Sequence, residues 1–425
     1  MLLGRCGVDM VNLLDLSQKI EQHLEQKILP FWLNLKDQEH GGFYGGLSYD
    51  LQLKPQAVKG CILNSRILWS FANAYLFKPE PQYLEAADHA YRFMVEHCFD
   101  HTYGGIYWSM NYDGTVSDST KHTYNQAFAI YALSSYYAAT GKTEALDHAF
   151  ALYEVIERKC KDERGYLESF NYKFEPEDNS KLSENGVMAV RTMNTLLHVF
   201  EAYTELYRVL KAAATNNQGE LNERKLEVRA LQVKHNLYYM LDLIATKIYN
   251  PHLERQEVFF DDNWNSLIDL HSYGHDIETS WLVDRCLDVL DDQYYTAKIR
   301  PIVNALAQKI YEHAYRDHSL LNECERGVDN CTRVWWVQAE AVVGFLNAYH
   351  NTQEDKFLEA AADIYHYIET TMTDLRPGSE WYWSIGPDGT PDHKPIVEPW
   401  KCPYHNSRMC YEAVRRLKAA AADQA

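Results

Sequence analysis

The sequence predicts an all-α fold, an (α/α)6 barrel in which six helical hairpins form a closed ring with short β-hairpins or loops at one mouth. Three observations predict it. A short aromatic motif recurs about every 61 residues. Between copies lie two helical segments, one with a polar face and one apolar on most sides, which suits an outer and an inner helix. No polar repeat caps either end, as an open stack would require, so the ring is expected to close.

The recurring motif is a glycine or another turn residue followed by alternating aromatic residues, which predicts a small β-hairpin or an extended loop. Successive copies are separated by 63, 61, 93, 61 and 61 residues, and they begin at Gly41, Gly104, Gly165, Val258, Ser319 and Glu380. The long step of 93 contains a segment rich in Asn, Gln, Glu and Lys. We predict that this segment, residues 211–231, is an exposed insertion.

The helices are predicted from apolar residues that recur at helical spacing. Leu16, Ile20, Leu24 and Ile28 follow one another at intervals of four, which is typical of an amphipathic helix. The predicted outer helices are 13–35, 82–98, 143–160, 226–248, 292–314 and 354–372. The predicted inner helices are 62–75, 124–139, 186–210, 275–291, 335–350 and 404–418. A single barrel domain is therefore expected at 12–418, between a leader at 1–11 and a tail at 419–425.

Composition and charge narrow the range of partners. The 425 residues include 60 acids and 41 bases, and the net charge of −19 argues against nucleic acid or an anionic membrane as a partner. No segment is apolar enough for a membrane span or a signal peptide. The nine cysteines form no C-x-x-C pair, so reduced thiols and a cytoplasmic location are expected. We expect a monomer or a weak homodimer.

A set of unusual side chains lies near the start of the predicted inner helices. An arginine on an apolar helix is unfavourable unless it is paired, and polar side chains recur at matching places in the other helices. Because inner helices that run parallel round a ring begin at one mouth, these side chains are expected to converge there. The set is Arg66, Tyr124, Asn194, His198, His275, Glu278, Trp336, Glu340 and His405.

His275 and Glu278 are three positions apart at the start of a helix, so their side chains share one face. Glu278 is expected to orient the imidazole of His275 and to favour its protonated form, as proton transfer requires. The alternative is an ordinary core histidine satisfied by a nearby acid. His271 and His275 also resemble half of a metal site, but the sequence contains no further ligand cluster, so no metal is expected.

Structural alternatives stay open for the other members of the set. Arg66 could form an ion pair in the core with an acid such as Glu340. Asn194 and His198 are four positions apart and could simply hydrogen-bond each other. The tyrosine and the tryptophan of the set could be core aromatics rather than platforms for a ligand.

Seven short segments carry a family resemblance: CILNSR at 61–66, KHTY at 121–124, LSENG at 182–186, TMN at 192–194, SYGHDIE at 272–278, WWVQAE at 335–340 and WKCPYHN at 400–406. Together they closely resemble the N-acylglucosamine 2-epimerase superfamily and, within it, the disaccharide-acting cellobiose 2-epimerases. The resemblance extends from about residue 13 to residue 417, and only the leader and the 211–231 insertion depart from it.

The resemblance implies reversible epimerisation at C2 of the reducing-end glucose or mannose of β-1,4-linked disaccharides such as cellobiose, lactose and mannobiose, without a metal or nicotinamide cofactor. It also implies that His275 and His405 are the acid–base residues and that Arg66 lies near the reacting carbons. Two histidines suit this reaction, because each can accept or donate the C2 proton near neutral pH. The enediolate between the two steps needs a fixed cation or donor, for which Arg66 is the candidate.

The same resemblance implies roles for the residues that hold the substrate. His198 would be a polar group near the reacting end of the sugar, and Trp336 and Trp400 would be platforms for sugar rings. The residues implied to line the pocket are Tyr124, Asn194 and Glu340.

Three alternatives to a disaccharide epimerase remain. Within the superfamily, the protein could be an N-acylglucosamine 2-epimerase or a mannose-type isomerase that acts on monosaccharides. An (α/α)6 glycoside hydrolase would need two opposed carboxylates, and the adjacent Asp261 and Asp262 do not suit that geometry. The third alternative is a toroid that binds a sugar or a protein without catalysis. An inner ring that carries an arginine and several histidines favours the epimerase.

Overall fold

The computed structural model describes residues 11–181, 185–216 and 220–424, without the side chains of residues 216 and 220–222. Most of the predicted leader, the tip of the predicted insertion and three residues of the LSENG segment therefore lie outside the described residues. The described residues form a helical ring with short strands at one mouth, as predicted.

The described part of the chain contains thirteen α-helices. These are α1 (Leu13–His23), α2 (Leu29–Leu33), α3 (Cys61–Phe77), α4 (Pro81–Phe93), α5 (Thr123–Thr140), α6 (Thr143–Lys159), α7 (Met193–Asn216), α8 (Glu220–Leu243), α9 (Tyr273–Leu290), α10 (Gln293–His313), α11 (Trp335–Thr352), α12 (Asp355–Tyr367) and α13 (Tyr404–Asp423). A π-helical turn at Leu24–Ile28 joins α1 to α2 into one outer rod. Similar turns extend three other outer helices, at Met94–Cys98, Ile244–Ile248 and Ile368–Met372.

Six helices form the inner ring: α3, α5, α7, α9, α11 and α13. Each contacts the next, and the ring closes where α13 meets α3, while α1 packs on the outside of α13. The inner helices are buried because of this position. In α5, for example, every residue from Thr123 to Tyr136 is buried. A helix surrounded by other helices needs apolar or satisfied side chains on all sides, which explains why the inner helices lack a polar face.

Sixteen short strands lie in the described loops. They are β1 (Lys59–Gly60), β2 (Ser109–Met110), β3 (Val116–Asp118), β4 (Lys121–His122), β5 (Ser169–Phe170), β6 (Arg191–Thr192), β7 (Tyr249–Asn250), β8 (Arg255–Gln256), β9 (Phe259–Phe260), β10 (Leu270–Ser272), β11 (Tyr315–Arg316), β12 (Ser319–Leu320), β13 (Glu323–Glu325), β14 (Val328–Asn330), β15 (Arg333–Val334) and β16 (Ser384–Ile385). All their pairings are antiparallel.

A small antiparallel turn follows every outer helix, which confirms the predicted hairpins. It is the β7–β8 pair in the fourth unit and the β11–β12 pair in the fifth. In the other four units it is an isolated bridge, at Lys36 with Phe43, Phe99 with Ile106, Lys161 with Tyr166 and Thr373 with Trp381. A strand ends immediately before α3, α5, α7, α9 and α11, whereas α13 follows a longer segment in which Val397 pairs with Leu47. All six inner helices begin at the mouth that carries the strands.

Basic residues anchor this mouth to the ring. Lys59 in β1 donates to Asp37 at 2.6 Å, and Lys121 in β4 donates to Asp100 at 2.6 Å. Both lysines are fully buried, so each ion pair lies in a low-dielectric environment where loss of one partner would be strongly unfavourable. Because these lysines precede the inner helices by two residues, the pairs hold the first turns of α3 and α5 in place.

Several helix boundaries differ from the prediction, among them that of α8, which begins at Glu220 rather than at residue 226. The third inner helix begins at Met193 rather than at residue 186, because β6 pairs with β9 immediately before the helix and holds the chain extended. The last helix continues to Asp423, so most of the predicted tail is helical. The long step in the repeat corresponds to the hairpin of α7 and α8, which are 24 residues each.

Candidate active site

The first turns of the inner helices surround a cavity of about 300 Å³ at the mouth that carries the strands. It contains the predicted residues Arg66, Tyr124, Asn194, His198, His275, Glu278, Trp336, Trp400 and His405. Further side chains complete its wall: Lys181, Ser272, Asn322, Glu323, Val334, Trp335 and Trp383. The predicted convergence therefore occurs, and Glu340 is the member of the set that does not reach the wall.

The two histidines that the sequence singles out share this cavity. The centroid of the Trp336 ring lies 4.8 Å from that of His275 and 5.4 Å from that of His405. Nδ1 of His275 lies 2.7 Å from Oγ of Ser272, and Nδ1 of His405 lies 2.6 Å from Oε1 of Glu340. These hydrogen bonds occupy Nδ1 in both rings, so Nε2 is the nitrogen that each ring can offer to a ligand.

The expected pairing of Glu278 with His275 is wrong. Oε1 of Glu278 accepts a hydrogen bond from Arg408 and lies 4.0 Å from Nδ1 of His405, whereas His275 uses Ser272. The serine is closer to the imidazole because it ends the strand that enters the helix. Burial lowers the pKa of His275 to about 3, so this imidazole is neutral rather than protonated.

Arg408, which is not in the predicted set, connects the buried polar groups beneath the cavity through its hydrogen bonds. Its guanidinium donates to Glu201 and Glu278, and to Glu340 at 2.7 Å. Glu201 in turn lies 2.9 Å from Nδ1 of His198. The sequence carried a signal for this residue, because Arg408 stands on a buried helix three positions after His405, and such an arginine demands partners.

Glu340 lies behind His405 instead of lining the pocket. Its two carboxylate oxygens accept from His405, from Arg408 and, at 2.9 Å, from Nε1 of Trp281. The physical reason is that Glu340 is fully buried, and a buried carboxylate is stable only where several hydrogen-bond donors surround it. Glu340 therefore acts on a ligand through the imidazole and not directly.

Arg66 has no carboxylate partner within the described residues. Its Nη2 donates to the hydroxyl of Tyr124 at 2.8 Å, and its guanidinium lies over the ring of Phe128, 4.1 Å from the centroid. Its Nε is buried without a partner. The core pair with Glu340 that the sequence allowed is thus absent, and the guanidinium keeps donor capacity for a ligand.

The alternative bond between Asn194 and His198 is also absent from the described structure. His198 is bonded to Glu201, and Oδ1 of Asn194 is a buried acceptor without a protein partner. Burial lowers the pKa of His198 and, together with the positive charges of Arg408 and Arg66, lowers that of His405 well below its usual value. The imidazoles of the cavity are therefore neutral and can accept protons.

The guanidinium of Arg408 already occupies the place where the acidic cluster could otherwise bind a metal ion. A carboxyl oxygen of Glu278, a carboxyl oxygen of Glu340 and a ring nitrogen of His405 all lie within 4.8 Å of one another. The guanidinium of Arg408 bonds to both carboxylates, so it supplies the positive charge that such a cluster needs. His271, the other half of the metal alternative, lies 2.8 Å from Asp276 and does not line the cavity.

Aromatic rings and charged side chains both line the rest of the wall. Trp400 lies 6.0 Å from Tyr124 between ring centroids, and Trp383 comes from the sixth copy of the aromatic motif, for which the sequence predicts only a hairpin. Lys181, which lies 2.5 Å from Asp118, and Glu323 in β13 add charges at the rim. Flat apolar faces beside hydrogen-bonding groups suit a carbohydrate.

The family model described as N-acylglucosamine 2-epimerase (GlcNAc 2-epimerase) matches residues 42–408 of this chain. The chain belongs to the N-acylglucosamine 2-epimerase family. A cellobiose 2-epimerase of Eubacterium cellulosolvens is 49% identical to it over 400 residues, which are 94% of this chain and 98% of that relative. A cellobiose 2-epimerase of Ruminococcus albus is 46% identical over 399 residues, with the same coverage of 94% and 98%.

Solved structures of the N-acylglucosamine 2-epimerase family share the fold. The cellobiose 2-epimerase of Bacillus thermoamylovorans is 45% identical, with a TM-score of 0.87 over 95% of this chain and 99% of that chain. These comparisons confirm the predicted family, the (α/α)6 barrel and the predicted class of enzyme, a carbohydrate epimerase. Among the described helices, none has the length and apolar composition of a membrane span.

Proposed function

We propose that this epimerase inverts C2 of the reducing-end glucose or mannose of β-1,4-linked disaccharides, with His275 and His405 as the acid–base pair. The observation that carries the proposal is the shared cavity, in which both imidazoles adjoin Trp336 and Arg66 lies on the same wall. A sugar ring stacked on the indole would have its reacting end between the two imidazoles.

The reaction needs an open-chain aldose, since only a carbonyl at C1 makes the C2 proton acidic. In one direction a neutral imidazole takes this proton, and the electron pair of the broken C–H bond forms the C1–C2 double bond of an enediolate. The other imidazole, which has first taken up a proton from solvent, then donates that proton to the opposite face of C2 and becomes neutral. The reverse reaction exchanges the two roles, so each histidine acts once as base and once as acid.

The local environments support these roles. The pKa of His275 is lowered to about 3 by burial, which keeps its lone pair available as a base. His405 has the carboxylate of Glu340 at Nδ1, a partner that stabilises its imidazolium during turnover. Arg66 donates to Tyr124 and keeps a buried Nε without a partner, so it can hold the oxygen that becomes negative.

The disaccharide preference rests on the relatives and on the rest of the cavity wall. Both relatives described above are named as cellobiose 2-epimerases. In this chain Trp400 and Trp383 line the same cavity as Trp336, together with the charged side chains of Lys181 and Glu323. We propose that this part of the wall holds the second sugar, while the histidines act on the first.

The decisive experiment is an NMR time course of cellobiose in D2O. We expect deuterium at C2 of the reducing-end sugar together with a new mannosyl product. His275→Asn and His405→Asn should each abolish formation of this product, whereas His366→Asn, on the exposed face of α12, should not change the rate. Release of free glucose would indicate a hydrolase, and turnover of mannose or N-acetylglucosamine but not of cellobiose would indicate a monosaccharide enzyme. Wild-type exchange in His405→Asn would refute its assignment.

A further inference from the structure

Three buried carboxyl groups converge beneath the cavity on one guanidinium. Glu201, Glu278 and Glu340 all bond to Arg408, and none is more than 2% exposed. If all three were ionised beside neutral imidazoles, the cluster would carry two uncompensated negative charges. Buried charges without partners are strongly unfavourable, and like-charged carboxyls so close together do not all ionise. At least one carboxyl of the cluster therefore retains a proton.

The hydrogen bonds of the three glutamates indicate which carboxyl group retains the proton. Glu201 is bonded to Arg408, to the hydroxyl of Tyr404 and to His198. Although burial alone would raise its pKa, the charge of Arg408 and the bond to His198 lower it to about 2. Glu201 is therefore ionised.

Glu340 also has three donors, whereas Glu278 has one. Arg408, Trp281 and His405 satisfy both oxygens of Glu340. Glu278 accepts from Arg408 through Oε1 only, and its Oε2 is buried without a partner although the residue lines the cavity. Burial, and next the charge of Glu340, raises the pKa of Glu278 well above its usual range. Burial raises the pKa of Glu340 as well, but the charge of Arg408 and the hydrogen bonds from Arg408 and Trp281 oppose this rise. A proton on Oε2 would turn this unpaired acceptor into a donor at the cavity wall.

We propose that Glu278 is a neutral carboxylic acid in the working enzyme and donates a hydrogen bond from Oε2 to the sugar oxygen that becomes negative in the enediolate. This role rests on the proposed function and adds a second donor to Arg66. A neutral acid suits the position, because it stabilises developing charge without placing an anion beside it. The proton stays on Glu278 and no covalent step is required of it.

The test compares an isosteric amide with a truncation. Glu278→Gln keeps an N–H donor and the acceptor for Arg408, so kcat should stay within about tenfold of wild type. Glu278→Ala removes the donor, and kcat should fall by about 10²- to 10³-fold, the usual effect of losing one oxyanion donor. Circular dichroism and thermal unfolding check that both variants fold. Equal loss in a folded Glu278→Gln would overturn the proposal, since it would mean that a carboxylate is needed.

Infrared spectroscopy measures the proton independently of activity. Wild type at neutral pH should show the C=O band of a protonated carboxyl, shifted in D2O, that Glu278→Gln lacks; buried Glu168, whose pKa burial raises to about 7, adds a signal that both proteins share. Glu39→Gln, which removes a carboxylate that is 84% exposed, should leave the band unchanged. Absence of the band from wild type would overturn the proposal. A missing C2 exchange in wild type would instead contradict the proposed function, and the infrared result would still decide whether Glu278 is protonated.

Discussion

Nδ1 of His405 lies 2.6 Å from Oε1 of Glu340, and both side chains are buried. This bond fixes the neutral imidazole as the tautomer with its proton on Nδ1, so the lone pair is on Nε2. It also gives the imidazolium an ionised partner when the ring takes up a proton. The pair thus links one inner helix, α11, to the proposed acid–base group of another, α13.

Replacement of Glu340 should change the pH dependence of the reaction. In Glu340→Gln the imidazolium of His405 loses an anionic partner, so its pKa falls further and the alkaline limb of kcat moves to lower pH. We expect kcat to fall about tenfold or more. A positioned acid–base group contributes about 10²- to 10⁴-fold to the rate, and the loss of its partner should remove a part of that contribution. Rates measured from about pH 5 to about pH 9 test this. Glu359→Gln, on the exposed face of α12, is the control, and an unshifted limb in Glu340→Gln would contradict the interpretation.

Gly274 sets the position of the indole between the two histidines. A Cβ at this position would lie 2.5 Å from Cη2 of Trp336 and 2.7 Å from Cγ2 of Val337, so Gly274→Ala must displace the ring. We expect a loss of about 1–3 kcal/mol of stability from overpacking, with a raised KM and a lowered kcat.

A substitution at a second glycine, Gly141, is the control that separates the kinetic effect of Gly274→Ala from its loss of stability. Gly141 ends α5 with a φ of +70°, and a Cβ at this position would have no atom within 4 Å, so Gly141→Ala strains the backbone without touching the cavity. Its unfolding free energy should fall while kcat and KM stay at wild-type values. Normal kinetics in Gly274→Ala would show that Trp336 does not position the substrate.

Buried neutral histidines should make the fold sensitive to acid. Burial lowers the pKa of His23 to about 4, and of His122 and His275 to about 3. Between these values and about 6.5 the unfolded chain binds protons that the native state does not, so stability rises with pH in this window and falls on acidification. Each such group should lower the unfolding free energy by about 2 kcal/mol at pH 5.

His23 offers a test away from the cavity. In His23→Gln the amide oxygen can still accept the bond from Nε1 of Trp381, so the difference between urea unfolding at pH 7 and at pH 5 should shrink by about 2 kcal/mol. His366→Gln removes an exposed imidazole and serves as the control. An identical pH dependence in wild type and His23→Gln would show that this imidazole is not neutral in the native state.

Removal of metal ions should not affect the reaction. Arg408 already bonds to the carboxyl groups of Glu278 and Glu340, so the acidic cluster beneath the cavity does not need a divalent cation. We expect the same rate of C2 exchange before and after dialysis against EDTA. A loss of activity that returns on addition of one divalent ion would contradict this expectation.

The architecture could be predicted because its determinants are local and repeated. Helical spacing of apolar residues such as Leu16 and Ile20, and six copies of an aromatic motif, are properties of short segments that do not depend on their neighbours. Convergence at one mouth followed from the ring, since parallel inner helices bring Arg66, His275 and His405 to the same end.

The pairing of charges could not be predicted in this way. A spacing of three residues suggests that Glu278 serves His275, yet the carboxylate bonds to Arg408, 130 residues later, and His405 takes Glu340, 65 residues earlier. Such bonds join different helices, and a shift of about an ångström in their packing would change every partner.

The sequence by itself therefore determined the helical ring, its family and nine of the side chains that face the cavity. Only the tertiary structure decided which imidazole has which carboxylate, and that Arg408 holds three acids beneath them. The reason is physical: periodicity selects the face on which a side chain lies, whereas hydrogen bonds between buried groups depend on distances across helices that no local pattern encodes.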